Sequence, residues 1–304
     1  MTSTQYILLA GLFLGFSALE YLLGRAQKFG ATGADNALDV VGFALLAAVT
    51  QPAILWATKA LGLAFVPQYQ NALADLPWYA MVALLLFGDD MLQYWWHRAS
   101  HSPLLWPLHR AHHSAQYMSA RIIYRNNFFY YVGMPAIWMS GVLVYLGLGS
   151  VYLVYIVVKL AVITGAHSSV RWDEPLYKIK ALAPLMWVVQ RTISTPTTHF
   201  AHHAMTNADG IGNYKGNFGN LLFFWDVLFG SAHITQRFPA QVGLRDDQLF
   251  GAEKWWVELF YPVFRSKRAH SALVPGGKPY DESVDAVSRE ITATATHRNG
   301  QAAN

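Results

Sequence analysis

WYAMVALLLFGDDMLQYWWHRASH, residues 78–101, joins an apolar run of helical length to two histidines four residues apart. Trp78 to Trp96 approaches the roughly 20 mostly apolar residues that a membrane-spanning helix needs, and it runs straight into His97 and His101. On a helix, side chains three and four apart share a face and lie on the order of 6 Å apart. His97 and His101 therefore address one point in space. Neutral imidazole is a ligand for iron, zinc, copper and nickel, so the end of this helix reads as part of a metal site.

Two more clusters follow: His109-Arg110-Ala111-His112-His113 and His199-Phe200-Ala201-His202-His203. One HxxxH alone would be weak evidence, and surface or satisfied core histidines would explain it. Two copies of HxxHH beside an HxxxH make coincidence a poor account. Eight imidazoles exceed what one ion needs, so the pattern predicts two metals. His167, in Gly165-Ala166-His167-Ser168, is a further candidate ligand against the plainer reading of a headgroup-facing histidine. His233, His270 and His297 read as surface or tail residues.

Composition says where these clusters sit. Hydrophobic residues make up 54% of the 304 and charged residues 13%, about half the usual charged share. There is no cysteine, which excludes disulfides and thiolate ligands. The formal charge of +4 is scattered, without the basic stripe that nucleic acid demands. Apolar runs occur at about Tyr6–Leu23, Val40–Phe65, Trp78–Trp96 and Met134–Ala166, the last broken at Gly147-Leu148-Gly149-Ser150 and read as a helical hairpin. The first run reads as a retained anchor, since Met1 to Gln5 lacks the basic residues of a signal peptide.

The fold class expected is all-α, an integral membrane helical bundle of about four transmembrane helices with a cytoplasmic helical cap. Orientation follows from Lys and Arg, which favour cytoplasmic loops. The link Pro67–Pro77 and the Gly147 turn carry neither, whereas Arg98, Arg110, Arg121 and Arg125, and later Arg171, Lys178, Lys180 and Arg191, follow the histidine-bearing ends. All clusters then share the cytoplasmic side of the membrane, expected to be the bacterial inner (cytoplasmic) membrane. Domain organisation is expected as 1–265, the membrane-embedded domain, and 266–304, a polar tail.

Local signals place the clusters on helices. Ser102-Pro103 ends the first, Pro107 starts a second, and Thr195-Pro196 starts a third. Asn217 to Gly230 reads as an interfacial helix over the site. Asp89 and Asp90 lie about two helical turns before His97, where carboxylates are costly without a partner or function. They and Asp226 are candidates for orienting histidines, because metal-bound imidazoles donate their other N–H outward. Lys159 is left to snorkel or pair with an acid. Arg121 and Arg125 read as membrane-surface anchors, or as holders of an anionic headgroup.

With these motifs the chain resembles the fatty acid hydroxylase/sterol desaturase superfamily of integral-membrane di-iron oxygenases. The resemblance rests on Tyr94-Trp95-Trp96-His97-Arg98-Ala99-Ser100-His101, on the two HxxHH clusters with Thr195-Pro196, and on Asn217-Phe218-Gly219 with Trp225-Asp226. It implies two iron ions on the clustered histidines, O2 as co-substrate, a membrane lipid (acyl, alkyl, sterol or related) as substrate, and a separate electron donor of ferredoxin or cytochrome type. Thr195-Pro196 and Trp225-Asp226 look like the hydroxylating members, so hydroxylation is expected, with desaturation as the alternative. Asn126-Asn127 stands where many relatives have His-Pro, and Phe218 where Tyr is common; neither is expected to touch a ligand. A metal transporter would place its histidines at mid-membrane, and structural zinc would use four ligands.

Overall fold

The structure is a computed structural model, and it describes residues 3–23, 31–268 and 270–277. Among these the chain is helical, and its one β feature is an isolated bridge between Ala204 and Val242. The first helix is Ser3–Leu22. A second, Gly33–Phe65, starts at Thr32, whose hydroxyl accepts from Asp35 N while Asp35 accepts from Thr32 N. That capping box starts the helix seven residues ahead of the expected Val40. The third rod covers 78–100 and ends at His101. The fourth apolar run starts at Pro135 and reaches His167, but Gly147 (φ 115°) breaks it. Gly33–Phe65 and Pro135–His167 are long and apolar enough to cross a membrane.

Two of these rods contain a π turn, at Leu46–Thr50 and Leu86–Met91. One extra residue rotates the helix face by about 100°. The turn at Leu86–Met91 holds Asp89 and Asp90, both buried.

One end of the bundle is built from the 66–77 link and the Gly147 turn. Asn71 N donates to Tyr145 O (3.1 Å) and Leu73 N to Leu146 O (2.8 Å). A side chain at Gly147 would sit 2.9 Å from Ala74 N, on a backbone that already disfavours one. Small residues let the rods cross closely, since a Cβ on Gly62 would strike the Tyr145 ring and one on Gly141 would strike Thr58 Oγ1. Trp56, Phe65, Trp78 and Val154 point outward and are exposed, as a lipid-facing surface would be.

The other end carries the histidines and the polar half of the chain. Glu20 of the first helix is buried there. It accepts from Ser119 Oγ (2.6 Å), Ala120 N (2.9 Å), Ser168 Oγ (2.8 Å) and Ser169 N (2.9 Å). This carboxylate ties three separate stretches together beside His167.

Two local expectations differ from the structure. Only Phe224–Leu228 of the 217–230 stretch is helical, because side-chain carboxylates rather than helical carbonyls take the amide protons of Phe218, Gly219, Leu221 and Leu222. Arg125 is buried and pairs with Asp35 (2.6 Å) and Asp39 (3.3 Å), so it holds the start of the second helix and no headgroup. Within the expected tail, Ser271, Ala272 and Leu273 are buried against the fold; 278–304 lie outside the described residues.

Candidate metal centre

All nine histidines singled out above come together, in two groups. His97, His101, His109, His113 and His202 each offer a ring nitrogen to one point, and His112, His167, His199 and His203 to another, with the atoms of each group within 4.8 Å of one another. Helix geometry explains the sorting. In Trp106–His113, the i,i+4 pair His109 and His113 faces the first group and His112 the second. In Pro196–His202 with His203 as its C-cap, the i,i+4 pair His199 and His203 faces the second group and His202 the first. Each HxxHH thus serves both groups, and the two centres share their supporting helices. His233 is exposed and bonds to Gly210 O, and the His270 ring lies tilted against Phe250; neither joins a group. His297 lies outside the described residues.

The outward ring nitrogens fix the tautomers. His97 Nδ1 donates to Phe218 O (2.7 Å), His202 Nδ1 to Gly216 O (2.7 Å), His167 Nδ1 to Ile163 O (2.8 Å) and His109 Nδ1 to Asn126 Oδ1 (2.9 Å). A carbonyl only accepts, so these nitrogens carry the proton and Nε2 is left with its lone pair. His202 Nε2 and His97 Nε2 then face each other at 2.9 Å with no proton between them. Such an approach repels unless a cation lies between. Metal–imidazole bonds of about 2.1 Å meeting near a right angle would put two nitrogens about 3 Å apart. The residues present fit a bound metal.

The departures Asn126 and Phe218 both touch this set, contrary to expectation. Asn126 takes the His109 proton, and Phe218 supplies the His97 acceptor while its ring packs at 5.2 Å from His101 and 5.6 Å from His202. None of the three carboxylates bonds a histidine. Asp226 accepts from Phe218 N (2.8 Å) and Gly219 N (2.6 Å), so it acts on His97 through the backbone. Asp90 accepts from Leu221 N, Leu222 N and Trp225 Nε1, anchoring the same loop to the 78–100 rod. Asp89 turns the other way, to Lys159 (2.5 Å) and Tyr155 (2.8 Å).

Two further supports had no signal in the sequence. Asp173 accepts from Thr197 N (2.9 Å) and Oγ1 (2.7 Å) at the start of the last histidine helix. Arg110, between His109 and His112, is fully buried and paired with Asp246 (2.8 Å), Asp247 (2.5 Å) and Glu258. It clamps the middle histidine helix from behind. Beside the rings lies a cavity of about 320 Å3, bounded by His97, His109, His112 and His167 at one side and by Leu46, Ile137, Ile156 and Leu160 along its length.

Residues 82–231, just under half of the chain, match the fatty acid hydroxylase family model, and that segment contains all nine histidines. The chain is also similar to alkylglycerol monooxygenase of Xenopus tropicalis, 28% identical over 163 residues. With the Danio rerio protein of that name the identity is 29% over 161 residues. Each match covers 52% of this chain and 32% of the relative. Residues 82–231 are a fatty acid hydroxylase domain. The chain spans about a third of the length of the curated relatives it matches, and no solved structure matches it. Inside the matched fatty acid hydroxylase segment lie every histidine of both groups, Asp90, Asp226 and the loop between them.

Burial, then the neighbouring imidazoles, hold His112, His113, His199 and His203 well below the ordinary histidine range. They remain neutral, the form in which an imidazole can bind a metal. An unfolded chain takes up these protons near pH 6.5, and the folded one resists them. Stability of the metal-free protein is therefore fully present above that range and is lost as pH falls through it toward the lowered values. Thermal unfolding of chelator-treated protein in detergent is expected to move to lower temperature between about pH 8 and pH 5.5. A midpoint unchanged across that interval would contradict a neutral, buried histidine cluster.

Proposed function

We propose that the chain is an O2-dependent di-iron monooxygenase that hydroxylates an unactivated C–H bond of a membrane lipid. The observation that carries this reading is the sorting of nine histidines into two adjoining groups by shared HxxHH helices. Two iron ions held there would supply O2 activation, chemistry that no side chain provides. The ligands are proposed as His97, His101, His109, His113 and His202 for one iron and His112, His167, His199 and His203 for the other. The chain's own part is to hold imidazoles neutral, aim Nε2 inward and keep water away. Outward bonds to Phe218 O, Gly216 O, Ile163 O and Asn126 Oδ1 do the aiming. The apolar cavity alongside is where the lipid chain would lie.

Hydroxylation is favoured over desaturation, in keeping with the name of the relatives, and an alkyl ether lipid is among the substrates it suggests. Electrons would come from a separate ferredoxin-type or cytochrome-type protein. Purified protein supplied with a reducing system, membrane lipid and 18-O2 is expected to give a product carrying one heavy oxygen. His112→Ala and His202→Ala, one from each group, are expected to abolish that product and lower bound iron. Full activity in either variant would overturn the di-iron assignment. A product two hydrogens lighter, with the label in water alone, would replace hydroxylation by desaturation.

The apolar rods would form about four membrane spans, 1–265 being the embedded domain, with the histidine end in the cytoplasm of a bacterial inner membrane. Loop charge supports this, since the 66–77 link and Gly147 turn share the end without Lys or Arg. The chain has no cysteine, so single replacements report cleanly. Gln70→Cys is expected to react with an impermeant thiol reagent in intact cells, and Ala208→Cys, exposed near the histidine end, to be shielded. The reverse pattern would invert the topology.

A further inference from the structure

Asp89 and Lys159 form a buried ion pair on the cavity wall, and neither the metal groups nor their supports use it. Lys159 Nζ and Tyr155 Oη both donate to the same atom, Asp89 Oδ2, at 2.5 and 2.8 Å. Among the described residues no protein donor bonds Oδ1, and Lys159 has no second hydrogen-bond acceptor. An ion pair within apolar helices is unfavourable unless it is well satisfied or has a function. This one is only partly satisfied by protein, and it faces open space.

Its place is also defined. Asp89 stands eight residues before His97 and Lys159 eight before His167, on two rods that run toward the same histidines. At 1.5 Å per residue the pair lies about 12 Å from the ring nitrogens. The π turn at Leu86–Met91 sets Asp89 toward the cavity while its neighbour Asp90 faces the 221–225 loop.

We propose that Asp89 and Lys159 are a polar subsite that receives a hydroxyl group on a neutral lipid substrate and thereby sets which carbon lies at the metals. A hydroxyl can donate to Oδ1 and accept from the ammonium at once, matching a pair whose net charge is zero. An anionic headgroup would meet the carboxylate, an ether could accept from the ammonium but would leave Oδ1 without a donor, and a hydrocarbon would leave both unpaired. This rests on the monooxygenase reading above for the word substrate, but the subsite itself is a matter of binding.

Native mass spectrometry of delipidated protein in detergent tests it, with 1-hexadecanol, hexadecyl methyl ether and hexadecanoate as probes. The wild-type chain is expected to retain the alcohol at least about tenfold better than either other probe, in line with sites that hydrogen-bond a ligand hydroxyl. Asp89→Asn/Lys159→Met, which removes both charges together, is expected to lose the preference while iron uptake stays at the wild-type level. Equal retention of alcohol and ether by the wild type, better retention of hexadecanoate, or a preference that survives in the double variant would each overturn the subsite. The wild-type comparison decides the matter even where the double variant misfolds. Loss of iron binding from the wild type would count against the monooxygenase alone.

Discussion

For four of the nine histidines, His97, His109, His167 and His202, the ring nitrogen that points into the centre is aimed by settling the opposite nitrogen elsewhere. An imidazole has one proton and one lone pair when neutral, so an outward acceptor for the proton turns the lone pair inward. Phe218 O, Gly216 O, Ile163 O and Asn126 Oδ1 are those acceptors. Much of the polar half of the chain keeps them in place. Asp226 and Asp90 hold the 217–225 loop by its amide protons, Asn217 bonds Thr198 O and His233 O, and Asp173 fixes the start of the last histidine helix. The carboxylates act at one remove from the histidines, through backbone.

The centre sits where two kinds of structure meet. Apolar rods deliver His97, His101 and His167 at their ends, and two short helices outside the rods deliver the other six. Neither half makes a complete group: the first group takes His97 and His101 from a rod and the second takes His167. Glu20 with its four donors and Arg125 with Asp35 and Asp39 bind the halves together. The cavity follows the rods away from the histidines, so a lipid chain lying along it would remain among apolar side chains.

Much of this was legible in the sequence. The histidine spacing gave the residues that come together, Pro107 and Thr195 gave the helix starts, and Gly147 marked the reversal. The partition of the histidines into two groups was not, because three clusters allow several pairings until the helices are oriented. Backbone acceptors such as Gly216 O carry no side-chain signature. Asn126 was visible as a departure from related sequences, yet its contact with His109 needed the fold. The π turns were hidden for a similar reason, since one extra residue in an apolar run leaves the pattern unbroken. Arg125 misled because a basic residue beyond an apolar run resembles an anchor, and only the fold brings Asp35 and Asp39 to it.

The central claim is that the two histidine groups hold one ion each. Anaerobic titration of metal-free protein with ferrous 57-Fe, followed by Mössbauer spectroscopy, tests it most directly. Two ferrous ions bound per chain, in two quadrupole doublets of equal area, are the predicted result. Saturation at one ion per chain, or no iron retained, would contradict it.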